Sequence, residues 1–194
     1  MKEASKMVTL KTVKPVSTGK FLSKYELIYE TEDGNNKAYE MVSHNSELAV
    51  DTMGQDQSGI VLLVFDRNHE HMLLGVEFRM AINHHIINNI SGFIEPGETP
   101  EQAAARKLRE KTGLELTKIL NILPFSFSCA SVTDMTAALV ICEASGGIIP
   151  SENPNEEISP VWFSKGQLQV LLKDPEVSFS GRAQALVYMW CEDM

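Results

Sequence analysis

The sequence predicts an α+β fold, a strand-rich main domain preceded by a small antiparallel β extension. Three observations carry this. Short apolar runs, some alternating and some continuous, recur along the chain between clusters of turn residues, as strands require. One mid-chain segment, residues 99–113, has helix-start chemistry at one end and a glycine stop at the other. A polar stretch around Asp51 to Ser58 with Gly54 inside it separates 1–52, the extension, from 53–194, the main domain.

In the extension, Val8 to Val16, Lys24 to Thr31 and Lys37 to Ser43 read as strands, with Tyr25, Leu27 and Tyr29 at alternate positions. Asp33-Gly34-Asn35-Asn36 between the second and third is a hairpin turn signal. A sheet this small buries little of itself, so a partner surface is expected and a homodimer is favoured over a decorative sheet.

In the main domain, Gly59 to Arg67 and His71 to Phe78 read as buried strands around the turn Arg67-Asn68-His69-Glu70. His69 and His71 flank Glu70 in a way that suggests a metal site. With no third ligand expected nearby, all three read as solvated loop residues. His84 and His85, beside Asn83 and Asn88, read as polar loop residues. Leu116 to Phe127 and Asp134 to Ala144 supply further strands, with the loop 126–134 of small residues between them. Gly146-Gly147 turns the chain, and Ser151 to Glu157 is a polar, acidic loop. Ile158 to Ser164 is a strand. Ser164 to Lys173 is an amphipathic helix with Leu168, Leu171 and Leu172 inward, broken by Asp174-Pro175. Ser180 to Cys191 is a last helix whose Ala183, Leu186, Val187 and Trp190 repeat at helical spacing and form a core stripe.

Composition narrows the partners. A net charge of −9 without a basic run argues against nucleic acid. The longest apolar runs, such as Gly59 to Phe65, are too short to cross a bilayer. The N-terminal MKEASKMVTL lacks the apolar core of a signal peptide, so a cytoplasmic protein is expected. Cys129, Cys142 and Cys191 show no metal-type spacing and read as buried or semi-buried reduced thiols.

The stretch that organises the chain is Gly92 to Leu114, GFIEPGETPEQAAARKLREKTGL. It opens as a loop holding Gly92, Gly97 and the acids Glu95 and Glu98. Thr99 then suits an N-cap, Pro100 the first helical position, and Gln102 completes a capping box. Ala103 to Lys111 are good helix formers and Gly113 ends the helix. Ala104, Ala105 and Leu108 are expected to pack inward.

The spacing of Gly92, Glu98, Arg106, Leu108, Glu110, Gly113 and Leu114 resembles the signature box of the Nudix hydrolases at seven fixed positions over twenty-three residues. The resemblance implies an α/β/α sandwich that cleaves a nucleoside diphosphate linked to another group, using Mg²⁺ or Mn²⁺. The short N-terminal sheet resembles the ADP-ribose pyrophosphatase branch, where that extension supports a homodimer. By the same resemblance Arg79 contacts a phosphate or ribose of the ligand, a task that suits the guanidinium fork. A surface ion pair is the competing reading of Arg79. The loop 126–134 would lie against the substrate. Glu156 or Glu157 would supply one more carboxylate as metal ligand or general base, against the plain alternative of solvated acids.

Two positions depart from the family pattern. Lys107 and Lys111 stand where it has glutamates. Residues 107, 110 and 111 share one helical face, whose formal charge is therefore +1 rather than −3. Ammonium groups do not ligate hard cations, which take oxygen. Glu110 and Glu98 remain as weak metal ligands, and Glu110, Glu98, Arg106 and Glu157 as the candidate catalytic set. Arg79, Lys107, Lys111 and Glu95 are candidates for holding substrate. Arg106 and Glu110, four apart, are placed to pair. Two readings follow: a pyrophosphatase weakened by the two lysines, with Mg or Mn if active, or a non-catalytic module whose lysines hold the diphosphate with no metal. A vestigial site with solvated lysines is the third.

Overall fold

The computed structural model describes residues 8–149 and 157–193. The loop expected at Ser151 to Glu157, Glu157 excepted, and with it Glu156, lies outside the described residues. These residues divide into two compact units, 8–58 with 125–137, and 59–124 with 138–149 and 157–193. The first unit thus joins to the N-terminal strands a segment, 125–137, that is far away in sequence.

The first unit is an antiparallel sheet of β1 (Val8–Thr18), β2 (Ser23–Thr31) and β3 (Asn36–Ser43), in that order. The hairpin signal forms as expected. Thr31 N–H donates to Asn35 O at 2.9 Å, and Gly34 takes the φ of +78° that a side chain would resist. Alternation along β2 puts Tyr25 and Leu27 inside with Met41 and Leu48. The Tyr25 hydroxyl donates to Asn45 O at 2.7 Å, giving the buried ring a partner for its polar end. The segment 125–137 joins this unit through Val42 N–H to Val132 O at 2.9 Å and the Tyr39 hydroxyl to Ser131 O at 2.6 Å.

The second unit is built on a sheet of seven strands. These are β4 (Gly59–Phe65), β5 (His71–Arg79), β6 (His84–Asn88), β7 (Ser91–Phe93), β8 (Glu115–Phe127), β9 (Thr136–Ser145) and β10 (Ile158–Ser164). The order is β10-β5-β4-β9-β8, with β6 on β5 and β7 on β4. The helices are α1 (Pro100–Thr112), α2 (Lys165–Leu171) and α3 (Gly181–Cys191). Ser164 and Ser180 cap the last two, each accepting from a backbone N–H three residues on.

Helices cover both faces, because successive residues of a strand point opposite ways. Leu73 packs toward α1 with Ile60, Leu62, Ile90, Ala103, Ala104 and Leu108. Its neighbours Met72 and Leu74 pack toward Leu168 of α2 and Val187 and Cys191 of α3. Ala105 is exposed and Ala103 is buried, so the inward stripe of α1 begins one residue earlier than the sequence suggested. Cys129 is exposed, contrary to expectation, while Cys142 and Cys191 are buried.

The detail that positions the site is a split in the sheet. β4 and β5 pair at Val64↔Leu73 and Phe65↔Met72 and then diverge. β6 pairs with the freed edge of β5, from Gly75↔Asn88 to Arg79↔His84. β7 pairs with the freed edge of β4, from Gly59↔Phe93 to Val61↔Ser91. His84, His85, Asn88 and Gly92 are therefore strand residues rather than loop residues. Their pairing partners come from edges that only the split exposes, which no local pattern announces. Among the described residues no helix is long and apolar enough to cross a membrane.

Candidate functional site

α1 begins on Thr99, whose φ of −84° and ψ of 160° are those of an N-cap. The capping box is complete: Gln102 N–H donates to Thr99 Oγ1 at 3.3 Å and Thr99 N–H to Gln102 Oε1 at 2.9 Å. Gly113 ends the helix at φ +73°, where a Cβ would also lie 2.6 Å from Ile149 Cβ. These two ends fix which residues of α1 face outward. One outward stripe is a network of charges centred on Arg106.

Arg106 Nε donates to Glu98 Oε1 at 2.7 Å, and its Nη2 donates both to Glu98 Oε2 at 2.5 Å and to Phe93 O at 3.2 Å. Its Nη1 lies 3.3 Å from Glu95 Oε1 and 3.3 Å from Glu110 Oε1. Glu98 Oε2 also accepts from Glu95 N–H at 2.9 Å, which closes the loop onto the helix. The Arg106 guanidinium, with that N–H, holds the Glu98 carboxyl at about 2, well below the usual range. In turn, the carboxylate of Glu98 raises Arg106. The expected pairing of Arg106 with Glu110 is present but secondary. The tighter partner is Glu98, eight residues back in the loop.

Lys107 is not a loosely solvated side chain. Its Nζ donates to Glu110 Oε2 at 2.7 Å, and the side chain is 21% exposed. Its stem lies across Gly92, where a Cβ would fall 2.6 Å from Cδ and 2.7 Å from Cγ. Gly92 thus leaves room for Lys107 in this chain. Burial pushes the Glu110 carboxyl up, but Lys107 and then Arg106 more than offset it and leave it lowered. Lys111 is half-buried on the same helix.

The family's divalent cation is tested by this donor set. Both oxygens of Glu98 face Arg106, and those of Glu110 face Arg106 and Lys107. A hard cation wants about six oxygen ligands and no ammonium among them. The residues of this face do not fit it.

Arg79 ends β5 and pairs with Glu77 through Nε–Oε1 at 2.9 Å, the ion pair that the sequence left as one of two readings. Glu157 is exposed and bonds His85 Nε2 at 2.8 Å through Oε1. Phe78 stacks edge-on against the same imidazole. Glu95 and Glu98 join Glu110 around Arg106, whereas Glu157 and Arg79 belong to the β5–β6–β10 edge.

Sequence reasoning gave Glu77 no role and read Asn88 only as a neighbour of loop histidines. Glu77 is 8% exposed and accepts from Asn88 Nδ2 at 2.5 Å as well as from Arg79. Ser180 Oγ donates to Asn88 Oδ1 at 2.6 Å, which ties β6 to the start of α3. The available signal was the register: positions 73, 75 and 77 share a strand face, and an acid after leucine and glycine breaks an apolar row.

The turn at His69 also corrects an expectation. A third potential ligand is near, since Asp66, Glu70 and His71 offer atoms within 4.8 Å of one another. Asp66 is already engaged by the turn itself, accepting from Glu70 N–H at 2.8 Å and from His71 N–H at 3.2 Å through Oδ1 and bonding His71 Nδ1 at 2.8 Å through Oδ2. His69 bonds Glu143 instead, at 3.0 Å. A separate cleft of about 530 Å³ between α2 and α3, lined by Gln169, Leu172, Lys173 and Tyr188 among others, shares no residue with the α1 network.

Comparison with known proteins places these features. Residues 56–183 match the NUDIX domain model. The chain is 26% identical over 154 residues to an ADP-ribose pyrophosphatase of Saccharomyces cerevisiae, covering 78% of this chain and 65% of that protein. It is 26% identical over 149 residues to an ADP-sugar pyrophosphatase of Mus musculus, covering 73% and 65% respectively. It therefore spans about two thirds of either relative. A solved structure described as an ADP compounds hydrolase superposes with a TM-score of 0.74 at 16% identity, over 98% of this chain and 95% of that one, a likeness of fold.

Proposed function

This chain belongs to the Nudix family, and on that premise we propose that it acts on a nucleoside diphosphate linked to another group, of the ADP-ribose kind, with hydrolysis weakened by Lys107 and Lys111. The relatives named for ADP-ribose and ADP-sugar cleavage support the substrate class. The observation that carries the weakening is the Lys107–Glu110 contact at 2.7 Å, because it occupies the acid that a cation would need.

In this reading Arg106 and Lys107 present the positive charge of the face, while Glu98 and Glu95 hold Arg106 in place. A guanidinium fixed at two points keeps little freedom to lose when an anion arrives. Lys111 adds charge on the same helix, and Arg79 supplies a second guanidinium from the end of β5. Glu110, backed by Glu98 and Arg106, and Glu157 are the acids left to assist water attack, each already engaged by a cation or an imidazole.

A second reading, a binding module that holds the diphosphate without cleaving it, is favoured by the same pinned ammonium. Lysine is a competent phosphate partner as a point charge. The two readings separate in one experiment. A panel of nucleoside diphosphate compounds is assayed for phosphate release, with a phosphatase added, in Mn²⁺ and in EDTA, and for thermal shift under both conditions. Slow Mn²⁺-dependent release supports the enzyme. Stabilisation that survives EDTA with no release supports the module, and no response to any compound overturns both.

We also propose a homodimer formed through the N-terminal sheet. The first unit leaves Val16 and Phe21 exposed, and most of β1 faces solvent, with only Leu10 and Val13 half-buried against the unit's own core. Light scattering after size exclusion is expected to give twice the chain mass, and a monomer that persists at high concentration would overturn it.

A further inference from the structure

We infer that Lys107 makes the α1 face exclude a divalent metal ion by acting as a cation tethered within it, so that this Nudix site works on its ligand without one. The inference deepens the second reading above, the module that holds a diphosphate without metal, and rests on it for the ligand, but not for the exclusion of metal.

Three features of the chain point the same way. The Lys107 ammonium is directed at Glu110 Oε2 at 2.7 Å rather than at solvent. Its aliphatic stem is seated on Gly92, with no space for a Cβ between them, so the charge is held by packing as well as by the ion pair. The other oxygen of Glu110 faces Arg106 at 3.3 Å, and Arg106 is itself locked by its two bonds to Glu98.

A divalent ion entering this face would have to break the Lys107–Glu110 pair and sit beside an ammonium whose stem is packed on Gly92 and a guanidinium bonded twice to Glu98. At a separation of about 4 Å each such repulsion is about four times stronger near a protein surface than in bulk water. The few carboxylate oxygens available do not offset that, since a hard cation draws its affinity from several oxygens at once. A loosely solvated lysine would swing aside. This one is pinned at both ends.

The test is binding of Mn²⁺ alone to the intact protein, followed by electron paramagnetic resonance, with no nucleotide present. Wild type is expected to show no site that Glu110→Gln removes. Lys107→Glu is expected to gain one, tighter by at least about tenfold, and Lys107→Glu with Glu110→Gln to lose it again. Glu70→Gln is introduced throughout so that the Asp66–Glu70–His71 cluster, whose ligand atoms lie within 4.8 Å of one another, contributes no background signal. Lys107→Met, which keeps the stem on Gly92 and removes the charge, is measured beside it and is expected to gain a weaker site. A wild-type Mn²⁺ site that Glu110→Gln abolishes overturns the inference. So does a folded Lys107→Glu or Lys107→Met that binds no better than wild type.

A second arm uses ADP in EDTA, read by calorimetry. Binding by wild type that Lys107→Met weakens by about tenfold supports the tethered charge as the ligand's partner. Absence of ADP binding, with the Mn²⁺ results as expected, overturns the diphosphate reading of the site and leaves the exclusion of metal standing.

Discussion

Arg106 grips Glu98 at two points, Nε to Oε1 at 2.7 Å and Nη2 to Oε2 at 2.5 Å, and so staples the loop before α1 onto the helix itself. A planar fork on a carboxylate is the strongest form of this contact. It gives residues 94–98, the loop that follows β7 and holds Gly97, a fixed position relative to the first two turns of α1.

The staple has a pH signature. The folded Glu98 carboxyl titrates at about 2 against 4.5 for the free group. Its folded pKa is depressed, so the stability it contributes is fully present above about pH 4.5 and is lost as pH falls toward 2. Glu98→Gln is therefore expected to melt below wild type at neutral pH, with the gap closing between pH 4.5 and 2. Thermal denaturation of both proteins at a series of pH values checks this. A gap that does not change over that window assigns the effect to something other than this ion pair.

The capping box makes a second prediction, on stability alone. Thr99→Ala removes the acceptor of Gln102 N–H and leaves a first-turn donor to solvent. The expected cost is about 1 kcal/mol in urea unfolding. Thr99→Ser keeps the oxygen and should recover most of it. If both variants lose equally, the methyl group rather than the cap is what matters.

How far the sequence reached follows from which forces are local. α1 was legible from end to end because its signals, Thr99, Pro100, Gln102 and Gly113, act on their own neighbours within a turn. Strands β2, β3 and β10 were legible for the same reason, through alternation and bounding turn residues. β6 and β7 were not, because His84 to Asn88 and Ser91 to Phe93 become strands only against the edges freed where β4 and β5 part. The candidate site divides in the same way. The spacing announced the Arg106–Glu110 pair, four apart on one helix. The stronger Glu98–Arg106 contact, the seating of Lys107 on Gly92 and the pairing of His85 with Glu157 depend on how separate elements are brought together. The recruitment of 125–137 to the first unit is likewise a long-range event, carried by backbone bonds such as Val42 to Val132.

The contact between Gly92 and Lys107 can be measured by a double-mutant cycle. Gly92→Ala places a methyl 2.6 Å from Lys107 Cδ and 2.9 Å from Cε, so either the lysine or the strand must move. Alone it is expected to cost about 1 kcal/mol, the low end of overpacking, because a side chain yields more readily than backbone. In a Lys107→Ala background the clash is gone and the same change should cost little. The coupling, read from urea unfolding of the four proteins, is expected to be about 0.5 to 1 kcal/mol. Strictly additive effects would mean that the stem is not seated on Gly92 in solution.

The last prediction concerns chemistry. If Lys107 and Lys111 are what weakens hydrolysis, restoring acids at both positions should raise it. In Lys107→Glu with Lys111→Glu the formal charge of residues 107, 110 and 111 goes from +1 to −3, and Glu110 loses the ammonium now 2.7 Å from Oε2. The double variant is expected to cleave an ADP-ribose-like compound in Mn²⁺ by about tenfold or more over wild type, and to lose the gain with Glu110→Gln. The like charges brought together should also lower the melting temperature in EDTA and recover it on adding Mn²⁺, since an ion that binds only the folded state stabilises it. That thermal readout is independent of substrate choice. A folded double variant that responds to Mn²⁺ yet shows no cleavage of any compound would place the defect outside residues 107 and 111, in whatever aligns the diphosphate for attack. One that does not respond to Mn²⁺ at all would mean that three carboxylates on α1 do not make a metal site in this fold.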